Sequence, residues 1–119
     1  MRIEGPLSAQ LERYLDLATT ETKLTAANMA NIDTPGYRAV GMDFDAEMRT
    51  ALADAGDGAP ARAVQVKPED GLIVRPDGNN VSMDHESLNL AEAQLKFKTG
   101  VALLHLQYQM TMDAIHADK

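Results

Sequence analysis

The chain has 119 residues, the length of one domain, with 45% hydrophobic residues, a net charge of −7 and no cysteine. The charge is spread as −2 over residues 1–37, −4 over 38–84 and −1 over 85–119, so no basic patch exists to bind nucleic acid or an anionic membrane. The lack of cysteine excludes disulfides, thiol catalysis and cysteine-based zinc sites.

Glu4, Glu12 and Asp16 interrupt the first twenty residues, so a cleavable secretory signal is not expected there. No apolar run in the chain is long enough to span a membrane. Read without any motif, this points to the cytoplasm.

Residues 7–31 are predicted to form a helix. Leu7, Leu11, Tyr14, Leu15 and Ala18 recur at spacings of three and four. Pro6 suits the first helical turn, where its missing N–H has no intrahelical partner. Thr19, Thr20, Thr22 and Thr25 lower helix propensity, so the helix is expected to need a partner. Pro35 disfavours helical backbone at Thr34, and Pro35-Gly36 fits the centre of a type II turn.

Phe44, Met48 and Leu52 recur every fourth residue and predict a short helix over 43–53. A loop by composition covers 54–60. Ala63–Val66 and Leu72–Arg75 are strand-like, and Lys67–Gly71 between them predicts a β-hairpin supported by the helices. Pro76-Asp77-Gly78 marks a turn, and Asp84 is expected to cap the next helix, with Glu86 in its first turn.

That helix is predicted over about residues 85–117. Phe97, Val101, Leu104, Tyr108, Met112 and Ile115 form one apolar stripe. Leu88, Ala91, Leu95, Ala102, Leu106 and Met110 form a second. Gly100 is a weak point, costing roughly 1 kcal/mol relative to Ala. An N-terminal helix covers one stripe and leaves the other exposed, which marks a protein–protein interface. The alternative is that the middle segment folds back over it. The fold class is therefore mainly α, with long terminal helices and a short helix and small β-hairpin between them. Aromatic residues are only 4% of the chain, which predicts a thin core of Leu, Ala, Val and Met. The chain divides into 1–37, 38–84 and 85–119 within one structural unit.

Catalytic chemistry finds little support. His85, His105 and His116 lack the spacing of a helical metal pair, and His85 and His116 are expected to be solvated. A calcium loop starting at Asp77 would need Gly at 82 and Glu at 88, where the chain has Ser82 and Leu88. Asp43, Asp45 and Glu47 read as a solvated acidic face. No phosphate loop or nucleophile motif is present, so neither catalytic residues nor metal ligands nor a cofactor is assigned.

The stretch Ala27-Asn28-Met29-Ala30-Asn31-Ile32-Asp33-Thr34-Pro35-Gly36-Tyr37 resembles the N-terminal signature of the flagellar axial proteins, the rod, hook and hook-associated family. Its fixed positions are Ala27, Asn28, Ala30, Asn31, Thr34, Pro35, Gly36 and Tyr37. The second half, Asp77-Gly-Asn-Asn-Val-Ser-Met-Asp-His-Glu86 followed by Leu90–Phe97, resembles the rod branch, and within it the short proximal-rod subfamily more than its sister subfamily. The resemblance implies a structural rod subunit and not an enzyme. It implies terminal helices paired as a coiled coil, with Leu7, Leu11, Leu15, Leu88, Leu95 and the Phe97–Ile115 stripe as packing or interface positions. It implies export without a cleaved signal to a periplasmic rod. The implied partners are further copies, other rod proteins, the adaptor FliE, the MS-ring protein FliF and the flagellar export gate. Asn28 and Asn31 are poor interior helix residues, and could bond either the local turn or a neighbouring subunit. The competing function is a soluble helical adaptor or export chaperone that holds a partner helix.

Overall fold

The computed structural model describes residues 5–54 and 62–117. The element order is α1 (Pro6–Ala30), β1 (Val40–Gly41), α2 (Phe44–Asp54), β2 (Lys67–Pro68) and α3 (Met83–Ala117). The two terminal helices pack together and the middle segment lies against α1. Most of the loop expected over 54–60 lies outside the described residues.

Helix α1 is continuous through the threonine-rich stretch. Thr19, Thr20 and Thr22 donate their hydroxyls to the carbonyls of Leu15, Asp16 and Ala18, which satisfies these side chains on the helix itself. The positions facing inward run Tyr14, Ala18, Glu21, Thr25 and Asn28, spaced 4, 3, 4, 3, all buried or half-buried. This continues the spacing of Leu7 and Leu11 with polar residues, the repeat of a coiled-coil seam.

Helix α3 runs antiparallel to α1. Asn28 meets Glu86, Glu21 meets Lys96 and Leu15 meets Gly100. The face of α3 turned to α1 is buried at Glu86, Ala93 and Gly100, each seven residues after the last. Neither predicted stripe forms this face. The first stripe flanks it, with only Leu104 and Met112 half-buried. The second stands roughly opposite at 100° per residue, with Leu95 67%, Met110 60% and Leu106 51% exposed. The expectation that α1 covers one apolar stripe is therefore corrected: α1 seats on small and polar residues, and most of both stripes faces outward.

Gly100 is where the helices come closest. A Cβ there would stand 2.7 Å from Leu15 Cδ2 and 3.0 Å from Tyr14 Cδ1. Leu15 is half-buried and can turn aside, whereas Tyr14 is held edge-on against Phe44, with ring centroids 5.2 Å apart. In Gly100→Ala the helix-propensity gain of roughly 1 kcal/mol offsets the crowding. In Gly100→Leu overpacking costs about 1–3 kcal/mol. Urea midpoints should separate the two variants in that order.

The core is small. Leu17, Ala18 and Phe44 form its centre, with Tyr14, Met42, Met48 and Val64 packed around it. Phe44 is its one buried aromatic ring and begins α2, which Asp43 caps by accepting the Ala46 N–H at 3.0 Å. Lys96 lies 4.0 Å from the centre of the Phe44 ring and pairs with Glu21 at 3.1 Å. The molecule is elongated, 69 Å in its longest dimension with a radius of gyration of 18.2 Å, against about 13.5 Å for a compact chain of this length.

The predicted hairpin is replaced by a different pairing. Strand β1 pairs antiparallel with β2, Val40 opposite Pro68 and Gly41 opposite Lys67. Lys67 and Pro68, expected in the hairpin loop, are the strand, and neither 63–66 nor 72–75 is one. A small two-stranded sheet does lie between the helices, but its paired residues are 26 and 28 apart in sequence. The helix cap is also displaced. Ser82 Oγ accepts the His85 N–H at 3.3 Å and the Ser82 carbonyl accepts that of Glu86, so Ser82 caps α3 and Asp84 sits in its first turn.

Candidate functional site: a motif junction and an exposed helix face

The two segments that carried the resemblance meet in space. At the end of α1 the chain turns through Thr34–Tyr37, closed by the Tyr37 N–H on the Thr34 carbonyl at 3.2 Å. Gly36 has φ +77°, as a type II turn requires at that position. The Pro76–Gly78 turn lies directly against it: Gly36 N–H donates to the Asp77 carbonyl at 2.9 Å. A Cβ on Gly78 would stand 3.3 Å from Gly36 Cα.

Asparagines stitch the junction. Asn79 is fully buried; its amide donates to the carbonyls of Asn31 and Thr34 at 2.8 and 2.9 Å, and its Oδ1 accepts the Val81 N–H. Asn80 Oδ1 accepts the Ala39 N–H at 2.6 Å. Arg75 donates to the carbonyls of Val81 and Ile32. The Asn31 side chain bonds its own turn, donating to the Ala27 carbonyl and accepting from the Thr34 hydroxyl.

Asn28 is the centre of the arrangement and is fully buried. Its Nδ2 donates to the Val40 carbonyl at 2.8 Å and to Glu86 Oε1 at 3.1 Å. Its Oδ1 accepts the Val40 N–H at 3.1 Å and the Tyr37 hydroxyl at 3.0 Å. One amide thus acts as a strand partner for Val40 while fastening α1 to the first turn of α3. All four hydrogen-bonding positions of the amide are used inside the chain, so Asn28 holds this junction and has nothing left for a neighbouring subunit.

Of the other signature positions, Ala27, Ala30, Thr34, Pro35 and Gly36 are exposed and Tyr37 is half-buried. Of the helix positions singled out, Leu11, Leu15, Leu104 and Met112 are half-buried. Leu7, Leu88, Leu95, Phe97, Val101, Tyr108 and Ile115 are exposed. Sequence reading missed Arg75, Asn79, Asn80 and Glu86 as parts of one site. The signal available was the run of Asp and Asn immediately before a helix, residues that bond nearby backbone.

His85 is not simply solvated. Its Nε2 lies 3.2 Å from Glu69 Oε2. Burial pushes the Glu69 carboxyl above its ordinary pKa, the Glu86 carboxylate adds to the rise, and His85 opposes it.

No family model matches the chain. It is 33% identical to the flagellar basal body rod protein FlgB of Salmonella typhimurium (strain LT2), with 96% of this chain and 95% of the relative covered. The chain belongs to the FlgB family of flagellar basal body rod proteins. FlgB of Yersinia ruckeri is 30% identical, with 96% of each chain covered. FlgB of Cereibacter sphaeroides (strain ATCC 17023) is 32% identical, covering 87% of this chain and 89% of the relative. The relatives bear out the nearer subfamily resemblance of the second-half motif, FlgB rather than its sister FlgC. Membership makes the chain a structural subunit of the flagellar basal-body rod that assembles with other rod components. Among the described residues no helix is long and apolar enough to cross a membrane.

Proposed function

We propose that this FlgB-family chain polymerises into the rod through the outward apolar faces of its terminal helices, and that it has no catalytic role. The observation that carries this reading is the exposure of both α3 stripes, with Leu95, Leu106, Tyr108 and Met110 all more than half exposed. Exposed apolar area of this extent is an interface. The registers above leave roughly two and a half turns of α3 beyond the level of Leu7, which offers an end to a subunit stacked axially. Contacts of this head-to-tail kind build an open helical array when the rotation does not close.

Residues 1–37 and 85–119 act in this reading as the polymerising helices, and 38–84 as an outer element fastened to them. The signature positions 27–37 set the geometry with which α1 meets the outer element. The subunit leaves the cell unfolded through the flagellar export apparatus without a cleaved signal, and stands in the periplasmic part of the rod. Its neighbours there are other rod proteins, FliE, the MS-ring protein FliF and the export gate. The thin core around Phe44 suits this route, because a marginal monomer unfolds readily and assembly restores stability by mass action.

The test follows a tagged chain by fractionation. It should co-purify with basal bodies at its full translated length, and stay cytosolic when flagellar export is blocked. A chain that remains soluble in cytosol while rods form normally would overturn the proposal.

A further inference from the structure

Beneath the junction lies a cleft of about 370 Å³ lined by Glu21, Asp43, Glu69, Asp70, His85 and Asn89 among others. Glu69 and His85 line this cleft, and together with Glu86 each brings one ligand-type atom within 4.8 Å of the others. Glu86 is fully buried. Its Oε1 takes the Asn28 amide, while its Oε2 is buried with no hydrogen-bond partner. Glu69 Oε2 is also buried without a hydrogen bond, although His85 Nε2 stands 3.2 Å away. Two carboxylates and an imidazole therefore stand together, with Glu69 paired to His85 and Glu86 Oε2 without a hydrogen-bond partner.

We propose that Glu69, His85 and Glu86 bind a divalent transition-metal ion of the zinc class, with His85 Nε2 and one oxygen from each carboxylate as ligands and solvent completing the shell. Zinc holds such ligands at roughly 2.0–2.2 Å in a tetrahedron, which sets ligand atoms about 3.3 Å apart. The His85–Glu69 separation of 3.2 Å already has that value, and Glu86 would close in from within 4.8 Å. An imidazole ligand with two carboxylates favours a borderline ion over calcium or magnesium.

The surroundings fit. The Asn28 amide on Glu86 Oε1 and the Asn89 amide 3.4 Å from Glu69 Oε1 act as outer contacts that orient the ligands. Gly41 leaves the path of Glu69 open, since a Cβ there would lie 2.9 Å from Glu69 Oε1. The other carboxylates of the cleft give a cation a favourable approach. A bound ion would clamp β2 to the first turn of α3.

The full chain, stripped with chelator, is titrated with Co²⁺ and then Zn²⁺. The expected result is one ion per chain, visible bands of four-coordinate Co²⁺ that Zn²⁺ abolishes, and a higher melting temperature with Zn²⁺. Glu86 is buried and its replacement could unfold the chain, so the variants are His85→Ala and Glu69→Gln. Each should weaken Zn²⁺ binding by at least about tenfold with helix content unchanged. Absence of one-to-one uptake would overturn the proposal. Equal binding by His85→Ala would overturn it by placing the ion elsewhere.

Discussion

Asn28→Ala should unfold or nearly unfold the isolated subunit. The substitution strips hydrogen bonds from both backbone groups of Val40, from the Tyr37 hydroxyl and from Glu86 Oε1. Each buried polar group left unsatisfied costs roughly 1–3 kcal/mol, and more when it is charged. Glu86 is the decisive one, because it is fully buried and its other oxygen already lacks a partner. The expected loss is about 3 kcal/mol or more, a large part of the roughly 5–15 kcal/mol of an ordinary domain. Asn28→Asp is the sharper variant. It keeps the shape and the acceptor, removes the donor, and sets a second carboxylate against Glu86. Urea unfolding followed by helix content measures both, and a loss below about 1 kcal/mol in both would mean that the junction does not hold the fold.

Charging the far face of α3 should do the opposite, sparing the monomer and stopping assembly. Leu95 and Leu106 are 67% and 51% exposed, and neither belongs to the small core around Phe44. Leu95→Glu with Leu106→Glu should therefore change monomer stability by no more than about 0.5 kcal/mol per site. In the rod each leucine, if fully buried, contributes roughly 1.5–3 kcal/mol, and an unpaired buried carboxylate costs more than that. The pair should abolish swarming and leave basal bodies without a complete rod, while the purified variant keeps the helix content of the parent. Normal rods built from the double variant would show that this face is not an interface.

Much of the fold was legible because its signals are local. Pro6, the apolar spacing from Leu7 to Ala18 and the Pro35-Gly36 turn bound α1 to within a residue at each end. Phe44, Met48 and Leu52 located α2. The hairpin was not legible, since the observed ladder joins Val40–Gly41 to Lys67–Pro68. Lys and Pro are poor strand formers, and pairing of distant segments leaves no periodic trace. Val64, which made 63–66 look like a strand, is apolar because it packs onto the core.

The helix seam was misread for a related reason. Apolar periodicity finds the faces that avoid water, and here those faces of α3 point outward from the single chain. The inner seam is made of Glu86, Ala93 and Gly100 on α3 and of Tyr14, Ala18, Glu21, Thr25 and Asn28 on α1, mostly small or polar residues whose burial depends on hydrogen bonds and close approach. In the proposed assembly the strongest apolar pattern serves the polymer, and the intramolecular contact is left to weaker signals. The site followed the same division. The motifs at 27–37 and 77–86 were visible as strings, but only the fold shows that they form one junction centred on Asn28.

The absence of cysteine in the chain makes the assembly face directly measurable. With Leu95→Cys as the single thiol, labelling by a membrane-impermeant maleimide is compared between purified free subunit and isolated intact basal bodies. The account predicts rapid labelling of the free subunit and strong protection in the basal body, with reactivity returning when the rod is dissociated. Equal labelling in both states would leave this stripe facing solvent in the rod and would contradict polymerisation through α3.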